Sequence, residues 1–265
     1  VGCLRMIGQI LRSWLALPAT SGRDIDDPGA VELRRQVILS KPVLRRIYAE
    51  WYGEILSCVP PGEGVVLELG SGPGFLKELA PAAITSEVLR CRGVDLVADA
   101  QRLPFPDASL RAIAMTNVLH HIPDLRRFFD EATRCVRPGG AIGMLEPWVT
   151  AWSRFAYPLH HEPFLPDAPD WSSPPGGPVS AANDALAWIV FSRDRDRFQD
   201  EFPSWQIRNI RPTMPFRYLL SGGVSMRSFI PVWSYWLWRG LEQALEPWRD
   251  HLAMFALICL ERRSR

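Results

Sequence analysis

The 265-residue chain predicts an α/β domain built on a mostly parallel, doubly wound sheet. Three observations lead there. Residues 61–150 alternate short apolar runs with helical patterns, which is how strands joined by right-handed crossovers read in sequence. A glycine-rich turn, Gly70-Ser71-Gly72-Pro73-Gly74, directly follows one of those runs. Two more apolar runs, at 205–210 and 254–260, close the chain as late strands.

Residues 1–60 read as an N-terminal helical cap. Val43, Leu44, Ile47, Trp51 and Ile55 recur at helical spacing, and Pro42 stands near a helix start. The apolar run 6–11 between Arg5 and Arg12 is too short for a signal peptide. It reads as an amphipathic helix, with shallow membrane contact as a second expectation.

From residue 61 the strands and helices follow in order. Val65-Val66-Leu67-Glu68-Leu69 is a buried strand opened by Pro60-Pro61-Gly62. Residues 75–80 form a short helix that Pro81 stops. Strands are expected at 82–87, 94–98 and 110–116. A helix starts at the cap residue Asp124 and buries Leu125, Phe128, Phe129, Ala132 and Val136. Pro138-Gly139-Gly140 ends it, and a strand covers 141–145.

After residue 150 the composition changes. Nine of the eleven tryptophans lie beyond residue 147, so this part is read as a separate set of insertions at 151–250. Residues 163–178 form a proline-rich loop. A helix is expected at 232–246, with Trp233, Trp236, Leu237, Leu241, Ala244 and Leu245 on a broad apolar face. Arg239, Glu242, Gln243 and Glu246 make a narrow polar one. The apolar face is expected to pack on the sheet edge; a lining for an acceptor pocket or a membrane-interface surface is the sharper reading.

Composition removes several function classes. Thirty basic side chains against 29 acidic ones exclude a strongly basic nucleic-acid binder as the default. No apolar stretch reaches the roughly 20 residues of a membrane span. Five cysteines, odd in number and without zinc-site or redox-motif spacing, point to a reducing, cytoplasmic compartment.

The glycine turn suits backbone approach to a ligand, with helix N-terminal amides facing its charged group. The dinucleotide fingerprint would need glycine at 75, where Phe75 stands, which disfavours a nicotinamide-dependent oxidoreductase. The stretch VLELGSGPGFLKEL resembles motif I of the class I S-adenosylmethionine-dependent methyltransferases. VADAQRLPFPD, NVLHHIPD and RCVRPGGAIGMLEP resemble three further blocks of that family, in its order and spacing.

The resemblance implies a seven-stranded Rossmann-like sheet with a late antiparallel strand, over a methyltransferase domain at 61–265. Residues 61–150 would be the cofactor-binding core, and the last strand would lie near 254–260. It implies S-adenosyl-L-methionine as cofactor. Glu68 would hold its amino group, and Gly70, Ser71, Gly72 and Gly74 would form the backbone turn around it. Glu87, in preference to Asp95, would accept the ribose hydroxyls. Asp99, with Ala100 beside it, would meet the adenine, and Asn117 would complete the cofactor side. Arg111 stands where the family often has an aspartate, a position that does not touch the cofactor.

His120, His121, His161 and Glu162 are the candidate proton acceptors, since a neutral imidazole takes a proton near pH 7. Paired histidines beside a glutamate also suggest a metal, but adjacent histidines without HxxxH spacing argue for none. The expected reaction is methyl transfer to a hydroxyl of a small or lipid-linked acceptor. No nucleic-acid partner is expected, and peripheral membrane contact is a second expectation. A non-catalytic S-adenosylmethionine-binding partner or regulatory protein is the alternative.

Overall fold

The computed structural model describes residues 16–17, 24–72, 74–157 and 162–264. Helices α1 (Pro28–Ser40) and α2 (Pro42–Ser57) precede strand β1 (Val65–Leu69). Strands β2 (Ile84–Glu87), β3 (Leu96–Val97) and β4 (Leu110–Thr116) follow, then helix α3 (Leu125–Cys135) and strand β5 (Val136–Pro147). The later part holds α4 (Ala151–Ala156), α5 (Leu186–Trp188) and α6 (Arg195–Glu201). Strand β6 (Trp205–Thr213), α7 (Arg217–Ser221), α8 (Tyr235–Ala244), α9 (Arg249–Leu252) and β7 (Phe255–Arg262) complete it.

The seven strands lie in the order β3-β2-β1-β4-β5-β7-β6. β1 to β5 pair in parallel, and β7 runs antiparallel between β5 and β6. The central strands are near-continuous apolar runs because both faces are covered. One face packs against Phe128, Phe129, Phe198, Trp171 and Trp205. The other packs against Ile47, Trp51, Ile55 and Phe255.

Helix α3 begins where its sequence says. The Asp124 carboxylate accepts from the backbone N–H of Arg126 and Arg127, a cap of about 1 kcal/mol. Its far end differs from expectation. The helix stops at Cys135, and β5 already starts at Val136 and runs through Pro138-Gly139-Gly140. The segment at 75–80 is only a 3-10 turn, Leu76–Glu78.

Helix α8 overturns the packing expected of it. Trp233, Trp236 and Leu237 are 73%, 60% and 67% exposed, and Leu241 is exposed too. From the polar face Glu242 turns inward, while Gln243 and Glu246 stay exposed. Glu242 is buried, its Oε1 accepts from the N–H of Phe216 and Arg217, and Oε2 pairs with the Arg217 guanidinium. Glu50 on α2 binds Arg217 at 2.9 Å and Arg239 at 3.2 Å. The buried Arg217–Glu242 pair at the centre of this network fixes the helix by its charged side and leaves the tryptophans outside.

Cys58, at the end of α2, and Cys259, in β7, pair as a disulfide with Cα atoms 5.6 Å apart. The expectation of a reducing compartment, drawn from the absence of motif spacing, did not foresee this pair, because the partners are 201 residues apart and meet only through the sheet. Among the described residues no helix is long and apolar enough to cross a membrane.

Candidate active site

Open α/β sheets bind ligands beyond the carboxyl ends of their strands. A cavity stands there, lined by Gly70, Glu87, Asp99, Ala100, Asn117, His120, His121 and Glu162 among others. The turn after β1 is shaped for close backbone approach. Gly70 and Gly72 have φ of +64° and +25°; a Cβ on Gly70 would collide with Val118, and one on Gly72 would lie 2.8 Å from Glu87 Oε2. The turn is tied to β2: Ser71 N donates to Ser86 O at 2.8 Å, and Ser86 N donates to Ser71 Oγ at 3.1 Å.

Glu68, Ser71, Gly72 and Gly74 stand behind the cavity surface rather than on it. Glu68 is 3% exposed, and burial lifts its carboxyl to about 7. Its Oε2 and the Oδ1 of Asn117 are buried oxygens without a hydrogen-bond partner among the described residues. Asn117 has φ +56°, and its N–H donates to Leu145 O at 2.9 Å, which turns it toward the cavity. Two orphaned acceptors at the sheet edge fit a ligand that brings N–H or O–H donors.

The two carboxylates considered for the second strand separate cleanly. Glu87 ends β2, lines the cavity, and accepts from Val88 N at 2.8 Å; burial raises its carboxyl. Asp95 faces outward. It accepts from Lys77 Nζ at 2.6 Å and from Thr85 N at 2.8 Å, which lower its carboxyl, and it does not line the cavity. Asp99 Oδ1 accepts from Gln101 N at 2.8 Å.

The opposite wall gathers side chains from distant segments. The 3-10 turn Leu119–His121 presents two imidazoles. Fully buried Glu146, at the end of β5, accepts from Val118 N and Leu119 N at 2.8 and 2.9 Å, and its Oε2 lies 2.7 Å from His120 Nδ1. His120 Nε2 is 3.4 Å from Glu162 Oε2 and 3.6 Å from Asp184 Oδ1. Burial opposes a charge on His120, but the carboxyls of Glu146, Glu162 and Asp184 outweigh it and hold the imidazole well above its usual range. Burial, then the charge of His120, push His121 down to about 4; its Nδ1 is 3.2 Å from Ala181 O. Burial and then Glu162 raise Asp184 well above the carboxylate range.

His161 lies outside the described residues. Glu146 and Asp184 were not anticipated from sequence. Glu146 had a signal, a carboxylate at the end of a predicted strand; Asp184 had none. Trp236 is not on the cavity wall. Tyr157, Tyr218, Gly222, Gly223 and Met226 take the place expected of it, and α1 and α2 add Arg34 and Tyr48.

A sheet of this order, with a glycine turn after β1 and a carboxylate ending β2, defines the class I methyltransferase fold. Residues 67–144 match the family model described as a methyltransferase domain, and the fold is that of class I S-adenosylmethionine-dependent methyltransferases. An uncharacterised methyltransferase of Mycobacterium sp. (strain KMS) is 33% identical over 98 residues, covering 30% of this chain and 37% of the relative. The phthiotriol/phenolphthiotriol dimycocerosates methyltransferase of Mycobacterium tuberculosis (strain ATCC 25177 / H37Ra) is 32% identical over 113 residues, covering 36% and 42%. The chain thus spans less than half the length of these curated relatives. Geranyl diphosphate C-methyltransferase from Streptomyces coelicolor A3(2) shares the fold: TM-score 0.53, 14% identity, 86% of this chain and 82% of that one.

Proposed function

We propose that this protein transfers the methyl group of S-adenosylmethionine to a hydroxyl oxygen of a small or lipid-linked acceptor. One observation carries the reading: a single cavity joins the family's cofactor positions, Gly70, Glu87, Asp99 and Asn117, to a wall of histidine and carboxyl groups. Residues 61–150 serve as the cofactor core within a domain at 61–265, with 1–60 as cap and 151–250 as the acceptor side.

When bound, S-adenosylmethionine supplies an electrophilic methyl carbon and leaves as S-adenosylhomocysteine. The chain's own task is binding, alignment and exclusion of water. Glu87 takes the ribose hydroxyls, and Asp99 with Ala100 takes the adenine edge. Glu68, supported by the orphaned Oε2, takes the amino group, with Ser71, Gly72 and Gly74 shaping the turn. On the acceptor side neutral His121 accepts a hydrogen bond from the hydroxyl. Glu162 is its proton-accepting neighbour, with His161 a further candidate proton acceptor, and His120 is oriented by Glu146.

The acceptor class rests on two supports. The Mycobacterium tuberculosis relative is named for a dimycocerosate lipid. The outward tryptophan face of α8 suits a membrane interface, and the flanking stretch 202–241 contains arginines but no acidic residue. Peripheral lipid contact is therefore part of the proposal.

The test uses purified protein with labelled S-adenosylmethionine and fractionated lipid, glycan and small-molecule extracts. Label should appear in a lipid or small hydroxylated fraction. Micromolar cofactor binding with no labelled product in any fraction would favour the non-catalytic alternative instead.

A further inference from the structure

The pairing of histidines at 120 and 121 argued against a metal because neither residue has a partner at ligand spacing in sequence. The fold supplies those partners from elsewhere. Ligand atoms of His120, His121 and Glu162 all lie within 4.8 Å of one another. Within the cluster His120 Nε2 is 3.4 Å from Glu162 Oε2, and Asp184 Oδ1 stands beside it, 3.6 Å from His120 Nε2. Two ligands held at about 2.1 Å from one tetrahedral ion stand about 3.4 Å apart, so the His120–Glu162 separation is that of a coordination edge.

The outer hydrogen bonds have the matching form. Metal-binding histidines usually give their other ring N–H to a carboxylate or a backbone carbonyl, which fixes tautomer and ring direction. His120 Nδ1 meets Glu146 Oε2 at 2.7 Å, and His121 Nδ1 meets Ala181 O at 3.2 Å. Each ring thereby has its Nδ1 engaged, and the Nε2 of His120 is turned toward Glu162. Charge points the same way. Three carboxyl groups, Glu146, Glu162 and Asp184, face two imidazoles in a place largely closed to water. A buried excess of negative charge is costly unless protons or a cation offset it.

From these residues we infer a divalent transition-metal site, of the zinc or manganese type, formed by His120, His121 and Glu162 at the cavity wall. Two imidazoles with one carboxylate select a borderline first-row ion over calcium. Metal uptake displaces protons from these ligands. Resting on the methyltransferase reading, the inference also gives the ion a role: in the metal-loaded protein its open position, in place of the His121 imidazole, holds the acceptor hydroxyl oxygen in line with the methyl group.

The experiment is titration of chelator-treated protein with Co²⁺, followed by visible absorption, with metal content by mass spectrometry. One equivalent should bind with an intense tetrahedral spectrum. His121→Ala and Glu162→Gln should each weaken binding by at least about tenfold, while melting temperature and S-adenosylmethionine affinity stay near wild type. No saturable Co²⁺ uptake by the wild-type protein overturns the site, as does unchanged uptake in both variants. Should either variant unfold, imidazole ¹⁵N resonances of the wild type decide. Zn²⁺ should shift those of His120 and His121, and unshifted signals overturn the inference. Cofactor affinity of the metal-free protein is read separately. Its persistence without metal uptake removes the metal alone, whereas its loss in wild type removes the methyltransferase reading.

Discussion

The two walls of the cavity are made in different ways. The cofactor wall comes from one contiguous stretch, residues 68–117, where strand ends and a glycine turn place backbone and carboxylates. The acceptor wall is assembled from Tyr48, Tyr157, Glu162, Asp184, Tyr218 and Met254, which meet only in the folded chain. A wall made of backbone tolerates no added volume, whereas a wall made of side chains changes one contact at a time. Substitutions on the first should therefore act on cofactor affinity, and on the second on acceptor turnover.

The largest expected effect is on the cofactor wall. Gly72→Arg should abolish S-adenosylmethionine binding, by more than about 100-fold or 2.7 kcal/mol, because its Cβ would stand 2.8 Å from Glu87 Oε2 at a left-handed backbone position. Calorimetry on a variant with native circular dichroism checks this. Wild-type affinity would mean the turn does not hold the cofactor. Next comes Glu87→Ala, expected to cost ~1.5–3 kcal/mol, one to two decades in affinity, while Asp95→Ala costs none. The reverse result would move the ribose site to Asp95, on the outward side just before β3.

Glu68 gives the cofactor wall a pH signature. Its folded carboxyl, lifted to about 7 by burial, exceeds its ordinary value of 4.5. The stability from the protonated form is therefore full below pH 4.5 and is lost as pH rises through about 7. A cationic ligand prefers the carboxylate, so affinity for S-adenosylmethionine should climb across the same window, by up to about tenfold per pH unit. Isothermal titration from pH 5.5 to 8 checks it, and Glu68→Gln should flatten the curve.

On the acceptor wall, Glu162→Gln should lower turnover of whichever fraction is labelled while cofactor affinity stays within about twofold. A matched loss of cofactor binding would erase the distinction between the walls. The smallest effect belongs to Trp236→Ala. At 60% exposure it should change stability by no more than about 0.5 kcal/mol. Its readout is sedimentation with anionic phospholipid vesicles, which should weaken.

The same division explains what could be read from sequence. The buried strands, the Asp124 cap and the glycine turn are local: each is specified by residues within a few positions of one another. Sheet order and the places of Glu87 and Asp99 follow from them. Helix α8 was drawn correctly as amphipathic, yet its orientation was inverted. Periodicity defines two faces without saying which is inside, and here Arg217 and Glu50, from other elements, capture Glu242. Asp184 reaches His120 from 64 positions away, so no short window of sequence contains the pair. The helices at 151–156 and 186–201 were also missed, hidden among prolines and tryptophans that mask their short periods.

The link between Cys58 and Cys259 has a consequence of its own. It turns residues 58–259 into a covalent ring that holds nearly the whole sheet. A protease that cuts the proline-rich loop at 163–178 would leave one molecule of unchanged mass, apart from the added water, and its pieces would separate only after reduction. The same ring confines the unfolded chain, which by loop-closure entropy disfavours unfolding by about 5 kcal/mol. The termini lie outside that ring.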